Sequence, residues 1–170
     1  MEDPIKELPL VIRNALGTVK SQIQRETLEM IFIDESEFVH PLIHILPGPG
    51  SKERVIQAYR FWKGCTWEDI PEIQEVWFDP GLCKAMMKLT QTVRPIHMPL
   101  IQSEIRLTVL LDFEKSQGKY RIKKQEDFIP FEDLLNLFLP GSRFVLERVK
   151  RLGSYAGAAL GVTMNLIGWW

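Results

Sequence analysis

Acid–base chemistry on a small molecule needs an imidazole or a carboxyl whose proton affinity is shifted, with a hydrogen-bond donor close by. The residues of suitable type in this chain are His40, His44, His97, Tyr59, Glu126 and Asp127. His40 precedes Pro41, and a residue before proline is pushed to extended backbone. An extended Phe38-Val39-His40 run sends Phe38 and His40 to the same side, which can bring His40 to a cavity wall. The competing reading is structural: a buried imidazole needs a partner whether or not it reacts, so His40 can simply anchor its loop through a neighbouring backbone group. His44 lies further along the extended run, and His97 sits in a loop between Pro95 and Pro99, where exposure is the default. Gln125-Glu126-Asp127 places three polar groups in succession at a strand end. Alternation puts Glu126 with Tyr120 and Ile122, and Asp127 on the opposite face. A solvated strand end explains all three equally well.

Other chemistries find no support. The chain has no Gly-rich phosphate loop, no Gly-x-Ser-x-Gly elbow and no setting for a catalytic cysteine. Cys65 and Cys83 are its only cysteines and lack zinc-type pairing, so neither a metal nor a cofactor is expected. Aromatic residues are dense instead: Phe38, Tyr59, Phe61, Trp62, Trp67, Trp77 and Phe78. Such a wall suits an apolar ligand, although aromatics serve as plain core more often. The candidate lining is therefore His40, Tyr59, Trp62, Trp77, Met87, Val109 and Glu126.

The elements that must position these residues follow from periodicity. Pro4 to Leu16 reads as short helical turns interrupted near Pro9. Ile23, Thr27, Met30 and Ile31 give a helix ending near Asp34-Glu35-Ser36. Pro47-Gly48-Pro49-Gly50 makes a rigid loop, after which Ser51 offers an N-cap for a helix carrying Val55, Tyr59 and Trp62 to Gly64. The period then changes to two. Strands are expected at Ile73–Phe78, at 84–93, at Ile105–Phe113 and, after a turn at Ser116-Gln117-Gly118, through Tyr120, Ile122 and Phe128. Phe131–Leu139 is a short helix. Helices followed by a run of strands imply an α+β fold, with N-terminal helices packed on a curved antiparallel sheet that encloses a pocket.

The C-terminus reads differently. Leu152 to Trp170 carry no Asp, Glu, Lys, Arg or His, while Arg143, Arg148, Lys150 and Arg151 come just before. The stretch approaches the ~20 residues of a spanning helix. Gly153, Gly157 and Gly161 repeat the small-residue spacing of membrane helix pairs. Trp169 and Trp170 suit a membrane interface, and Arg148, Lys150 and Arg151 suit anionic headgroups. Asn165, Thr163 and the glycines dilute the hydrophobicity, so an amphipathic helix lying in the interface, or one docked on the domain, fits as well. The chain thus divides into a cavity domain, 1–141, and a membrane-associating segment, 142–170.

Phe38-x-His40-Pro41 followed by Tyr59-Arg60-Phe61-Trp62, the run Tyr120-x-Ile122-x-x-Gln125-Glu126-Asp127, and the opening Ile5-x-x-Leu8-Pro9-x-Val11-Ile12 together resemble the fungal SigF-like family of the nuclear transport factor 2-like superfamily. The resemblance covers residues 4–140 and implies a cone-shaped cavity. That superfamily includes ketosteroid isomerases, scytalone dehydratases, transport adaptors and simple binders, so it leaves activity open.

With 170 residues, 45% hydrophobic and 25% charged, the chain can bury one core, and its net charge of -1 offers nothing to recruit nucleic acid. Met1-Glu2-Asp3 does not open a secretory signal, so the domain is expected to face the cytosol. The leading expectation is a non-catalytic cavity domain held at a membrane by its tail and binding an apolar small molecule or a protein partner. The alternatives are a soluble isomerase- or dehydratase-type enzyme using a cavity histidine or carboxylate, and a homodimeric adaptor.

Overall fold

The computed structural model describes residues 1–169, apart from the side chains of residues 67–70. Two compact units divide the chain, Met1–Pro130 and Phe131–Trp170. The second unit therefore takes in the short helix at Phe131, ahead of the 141 boundary set by composition.

In the first unit, α1 spans Pro4–Ile12, α2 Ser21–Ile31 and α3 Ser51–Cys65. Asp3 caps α1 and Pro4 sits at its first position, a place where proline costs nothing. The expected break at Pro9 is absent. Pro9 removes only the donor that would reach Ile5 in the exposed first turn, and the disturbance comes later, as one π-helical turn over Arg13–Gly17. Helix α2 stops at Ile31, short of the expected Asp34-Glu35-Ser36. At the start of α3 the cap is Gly50, with a left-handed φ of 75°, and not Ser51. The Ser51 hydroxyl instead donates to the Asp34 carbonyl at 3.3 Å.

Six strands follow: β1 Phe32–His40, β2 Ile43–Ile45, β3 Thr66–Asp79, β4 Lys84–Pro95, β5 Ser103–Ser116 and β6 Lys119–Phe128. They form one sheet in the order β2-β1-β6-β5-β4-β3. The sheet is mixed, not antiparallel throughout, because β1 leaves α2 directly and pairs in parallel with β6, while the other neighbours are antiparallel. Gln117 and Gly118, both at positive φ, turn β5 into β6, the geometry that matches strand twist in a tight hairpin.

One side of the sheet carries the core. Along β5, Ile105, Leu107, Val109, Leu111 and Phe113 are buried and alternate with half-buried or exposed residues. Cross-strand register assembles them into rows, such as Val76, Met87, Val109 and Asp127 across β3 to β6, or Ala85, Leu111, Gln125 and Phe38 across β4, β5, β6 and β1. Helical residues Leu8, Leu28, Val55 and Ile56, none more than 1% exposed, belong to the same apolar cluster.

Strand β6 breaks strict alternation. Phe113 pairs with Ile122, whereas Asp112 pairs with Lys124, so Lys123 is an extra residue in the ladder. A bulge of this kind resets which face later residues occupy. Tyr120 and Ile122 before it, and Gln125 and Asp127 after it, are all buried.

In the second unit, α4 (Phe131–Phe138) and α5 (Ser142–Leu166) are joined across Gly141, which has a φ of 90°. Their ion pairs are Asp133 with Arg143 at 3.6 Å and Glu132 with Lys150 at 2.7 Å. Helix α5 has no buried residue. Among the described residues no helix is long and apolar enough to cross a membrane, which corrects the spanning form of the tail expectation. Four glycines, Ser154, Thr163 and Asn165 lower the mean hydropathy of an otherwise uncharged stretch.

Candidate functional site

The bulge at Lys123 decides which polar groups reach the inner face. Continued alternation from Ile122 would have exposed Asp127. With Lys123 extruded, Gln125 and Asp127 turn inward, 4% and 9% exposed. Glu126 takes the outer face, half-buried, with Lys124 at 3.5 Å. The sequence assignment of Glu126 and Asp127 is therefore reversed. The run Lys123 to Asp127 contains no apolar residue that could have marked the change of parity.

Gln125 and Asp127 join Tyr59 in a hydrogen-bonded chain. The Tyr59 hydroxyl, presented by α3, donates to Gln125 Oε1 at 2.9 Å. Gln125 Nε2 donates to Asp127 Oδ1 at 2.8 Å. Burial pushes the Asp127 carboxyl up to about 7, against the smaller opposing effect of the Gln125 bond. Desolvation of the charged form dominates such a shift. Burial, reinforced by Asp127, raises Tyr59 far above the ordinary phenol range. Tyr59 thus remains a neutral donor, which fixes the Gln125 amide with its nitrogen toward the carboxylate. A carboxyl titrating near neutrality can hold or release a proton at physiological pH.

His40 lies beside this chain through Phe38. The Phe38 and His40 rings stack at 6.2 Å, and Phe38 meets Tyr59 at 5.9 Å with a 47° tilt. His40 Nδ1 accepts the Leu42 backbone N–H at 3.2 Å. That places its remaining proton on Nε2 and anchors the β1–β2 turn. Burial holds its pKa below the usual imidazole value, so His40 is neutral at pH 7. His44 is more exposed and lies 3.2 Å from Glu37.

The other candidates separate. Tyr59 is buried with the chain just described, and Met87 and Val109, 0% and 1% exposed, are packed in the same cross-strand row as Asp127. Trp62 packs, half-buried, against the core. Trp77 does not belong to the inner face: it is 44% exposed and carries Lys88 over its ring at 5.1 Å. The extra residue Gln74, between the paired Ile73 and Glu75 of β3, shifts that strand's alternation. The Trp67 side chain and Trp170 lie outside the described residues.

Arg148, Lys150, Arg151, Gly153, Gly157, Gly161 and Trp169 all belong to the second unit, on α5 or just past its end. A surface cleft of about 370 Å³ is lined by Glu29, Asp34, Gly50, Lys52, Glu53 and Ile56. Its charges are already matched, Lys52 by Asp34 and Glu53 by Arg25. No group of histidine, cysteine and carboxylate side chains among the described residues could hold a metal.

Comparison with known proteins places the chain. The profile of the SigF NTF2-like domain matches residues 1–169, so the chain belongs to that family. No curated protein matches the sequence. Among solved structures, it is similar to a protein of ketosteroid isomerase-like fold from Catenulispora acidiphila, in complex with trimethylamine. That match has a TM-score of 0.60 at 10% identity, covering 77% of this chain and 91% of the other. PrhC from Penicillium brasilianum gives 0.57 at 11%, covering 86% and 93%. An epoxide hydrolase from M. tuberculosis gives 0.52 at 15%, covering 81% and 91%. At these identities the likeness establishes the fold, an NTF2-like α+β architecture, and nothing of the chemistry.

Proposed function

We propose that this member of the SigF NTF2-like family binds an apolar small molecule in a cone-shaped cavity over the inner face of its sheet and moves a proton on it through Asp127. The reaction class is isomerisation or dehydration next to a carbonyl. The observation that carries this reading is the inward-turned Asp127, titrating near 7 and gripped on one oxygen by Gln125. Oδ1 is held, so Oδ2 is the oxygen that takes a proton from carbon and returns it to a neighbouring atom. Tyr59 acts only through Gln125, as a positioning residue. A buried carboxyl ionising at neutral pH lowers stability, a cost typical of sites kept for chemistry. An epoxide hydrolase on the same fold agrees with this at the level of analogy.

Binding without chemistry is the second reading, favoured by His40: its Nδ1 is already committed to Leu42, and its role is that of a turn anchor. The two readings part in one experiment. A panel of apolar unsaturated ketones in deuterated water would be followed for exchange at carbon, with the native chain and with Asp127→Asn. Acid–base function predicts exchange that rises through pH 7, as the base ionises, and that Asp127→Asn abolishes. Ligand binding by both proteins with no exchange by either would leave a binder and end the enzymatic reading.

A further inference from the structure

Helix α5 buries none of its side chains, yet most of its large apolar residues share one side, with Thr163 among them and Leu146 and Met164 just beyond. At about 100° per residue, Phe144, Val149, Leu152, Tyr155, Leu160 and Ile167 fall within an arc of about 160°. All six are more than half exposed. Gly157 and Gly161 lie outside that arc, toward the side of Ser154 and Asn165, whereas Gly153 borders it between Leu160 and Met164. A Cβ built on any of the three glycines would meet no atom within 4 Å. The repeat that suggested a membrane helix pair therefore runs from the edge of the apolar face at Gly153 round to the polar side at Gly161.

The charges divide in the same way. Arg143 and Lys150 point to the polar side and pair with Asp133, Glu147 and Glu132. Arg148 falls inside the apolar arc and lies over the Phe144 ring at 4.0 Å, while Arg151 marks the arc's edge. A long stem laid on apolar surface with its cationic head at the rim is the arrangement side chains adopt at a membrane boundary. Beyond Arg151 the arc is uncharged to Trp169, which is 71% exposed.

We propose that α5 lies in the plane of an anionic membrane surface. Its apolar arc faces the acyl chains, Arg148 and Arg151 sit at the level of the phosphates, and Gly161 with Ser154 and Asn165 faces water. A second copy is a poorer occupant of the arc. It would bring arginines onto a shared apolar seam, and two of the three glycines that permit close helix approach, Gly157 and Gly161, are turned away from that seam. Interfacial binding of such a helix scales with buried apolar area and attraction to anionic lipid, and each cation adds about fivefold to partitioning.

The full chain would be sedimented with phosphatidylcholine vesicles, with and without phosphatidylserine. The expected result is binding to the anionic vesicles, weaker by tenfold or more on the neutral ones, and released by alkaline extraction. Leu152→Glu with Leu160→Glu should abolish it, and Ser154→Glu, on the opposite side, should leave it within about threefold. These positions are exposed, so both variants should keep the native circular dichroism. Equal binding by the two variants, resistance to alkaline extraction, or a lipid-free dimer dissolved by the Leu152/Leu160 pair would each overturn the proposal.

Discussion

Replacing Asp127 by Asn tests whether that carboxyl is held in an apolar place. An unfolded aspartate titrates near 3.9, whereas Asp127 in the folded chain is pushed up to about 7. Between these values the folded state keeps a proton that the unfolded state has lost. Its contribution is therefore fully present below about pH 4, falls as pH rises through the window, and is gone above pH 7. Three units at 1.36 kcal/mol each make the total about 4 kcal/mol. Asn cannot ionise and still offers Gln125 an acceptor, so the variant should show no such loss. Urea unfolding of both proteins at pH 4 and pH 8 reads the difference directly. The stability of Asp127→Asn relative to the native chain should increase by about 4 kcal/mol from the lower pH to the higher. A difference that stays within about 1 kcal/mol across that range would show a solvated carboxyl with an ordinary pKa, and the inner-face placement would be refuted.

Further substitutions probe the frame around it. Val109→Asp should abolish folding, since an unpaired carboxylate at a 1% exposed position costs several kcal/mol, while Thr108→Asp on the other face should fold; thermal melts of both decide it. Tyr59→Phe should cost about 1–3 kcal/mol, because Gln125 Oε1 loses the donor it has from Tyr59. His40→Ala should lower the melting temperature by removing the acceptor of the Leu42 N–H, with ligand binding unchanged; a stable His40→Gln protein that lost activity would make His40 more than an anchor.

Much of the fold was legible because its elements obey one period each. Strand β5 alternates without interruption around Val109, and α3 carries its apolar stripe from a glycine-ended loop, so both were readable. Tyr59 and Asp127 were readable as candidates by type, but which of Glu126 and Asp127 faces inward was not, and the reason is local. A single inserted residue, Lys123, changes the facing of everything after it, and the charged run that follows offers no hydrophobic residue to report the change. The same failure moved Trp77 outward through Gln74. The parallel β1–β6 pairing was hidden because it joins segments far apart in sequence, and Asp34 and Glu35 within β1 look like a turn. In the tail, composition suggested a span, whereas angular position puts most of its large apolar residues on one side and Gly161 on the other.

The proposed chemistry requires Asp127 to face inward and to exchange its proton near neutrality. A carbon-13 titration of the aspartate side-chain carboxyls, with Asp127→Asn to assign the resonance, measures this without any ligand. The resonance missing from the variant should titrate with a midpoint near 7. A midpoint below about 5, in the ordinary carboxylate range, would contradict it.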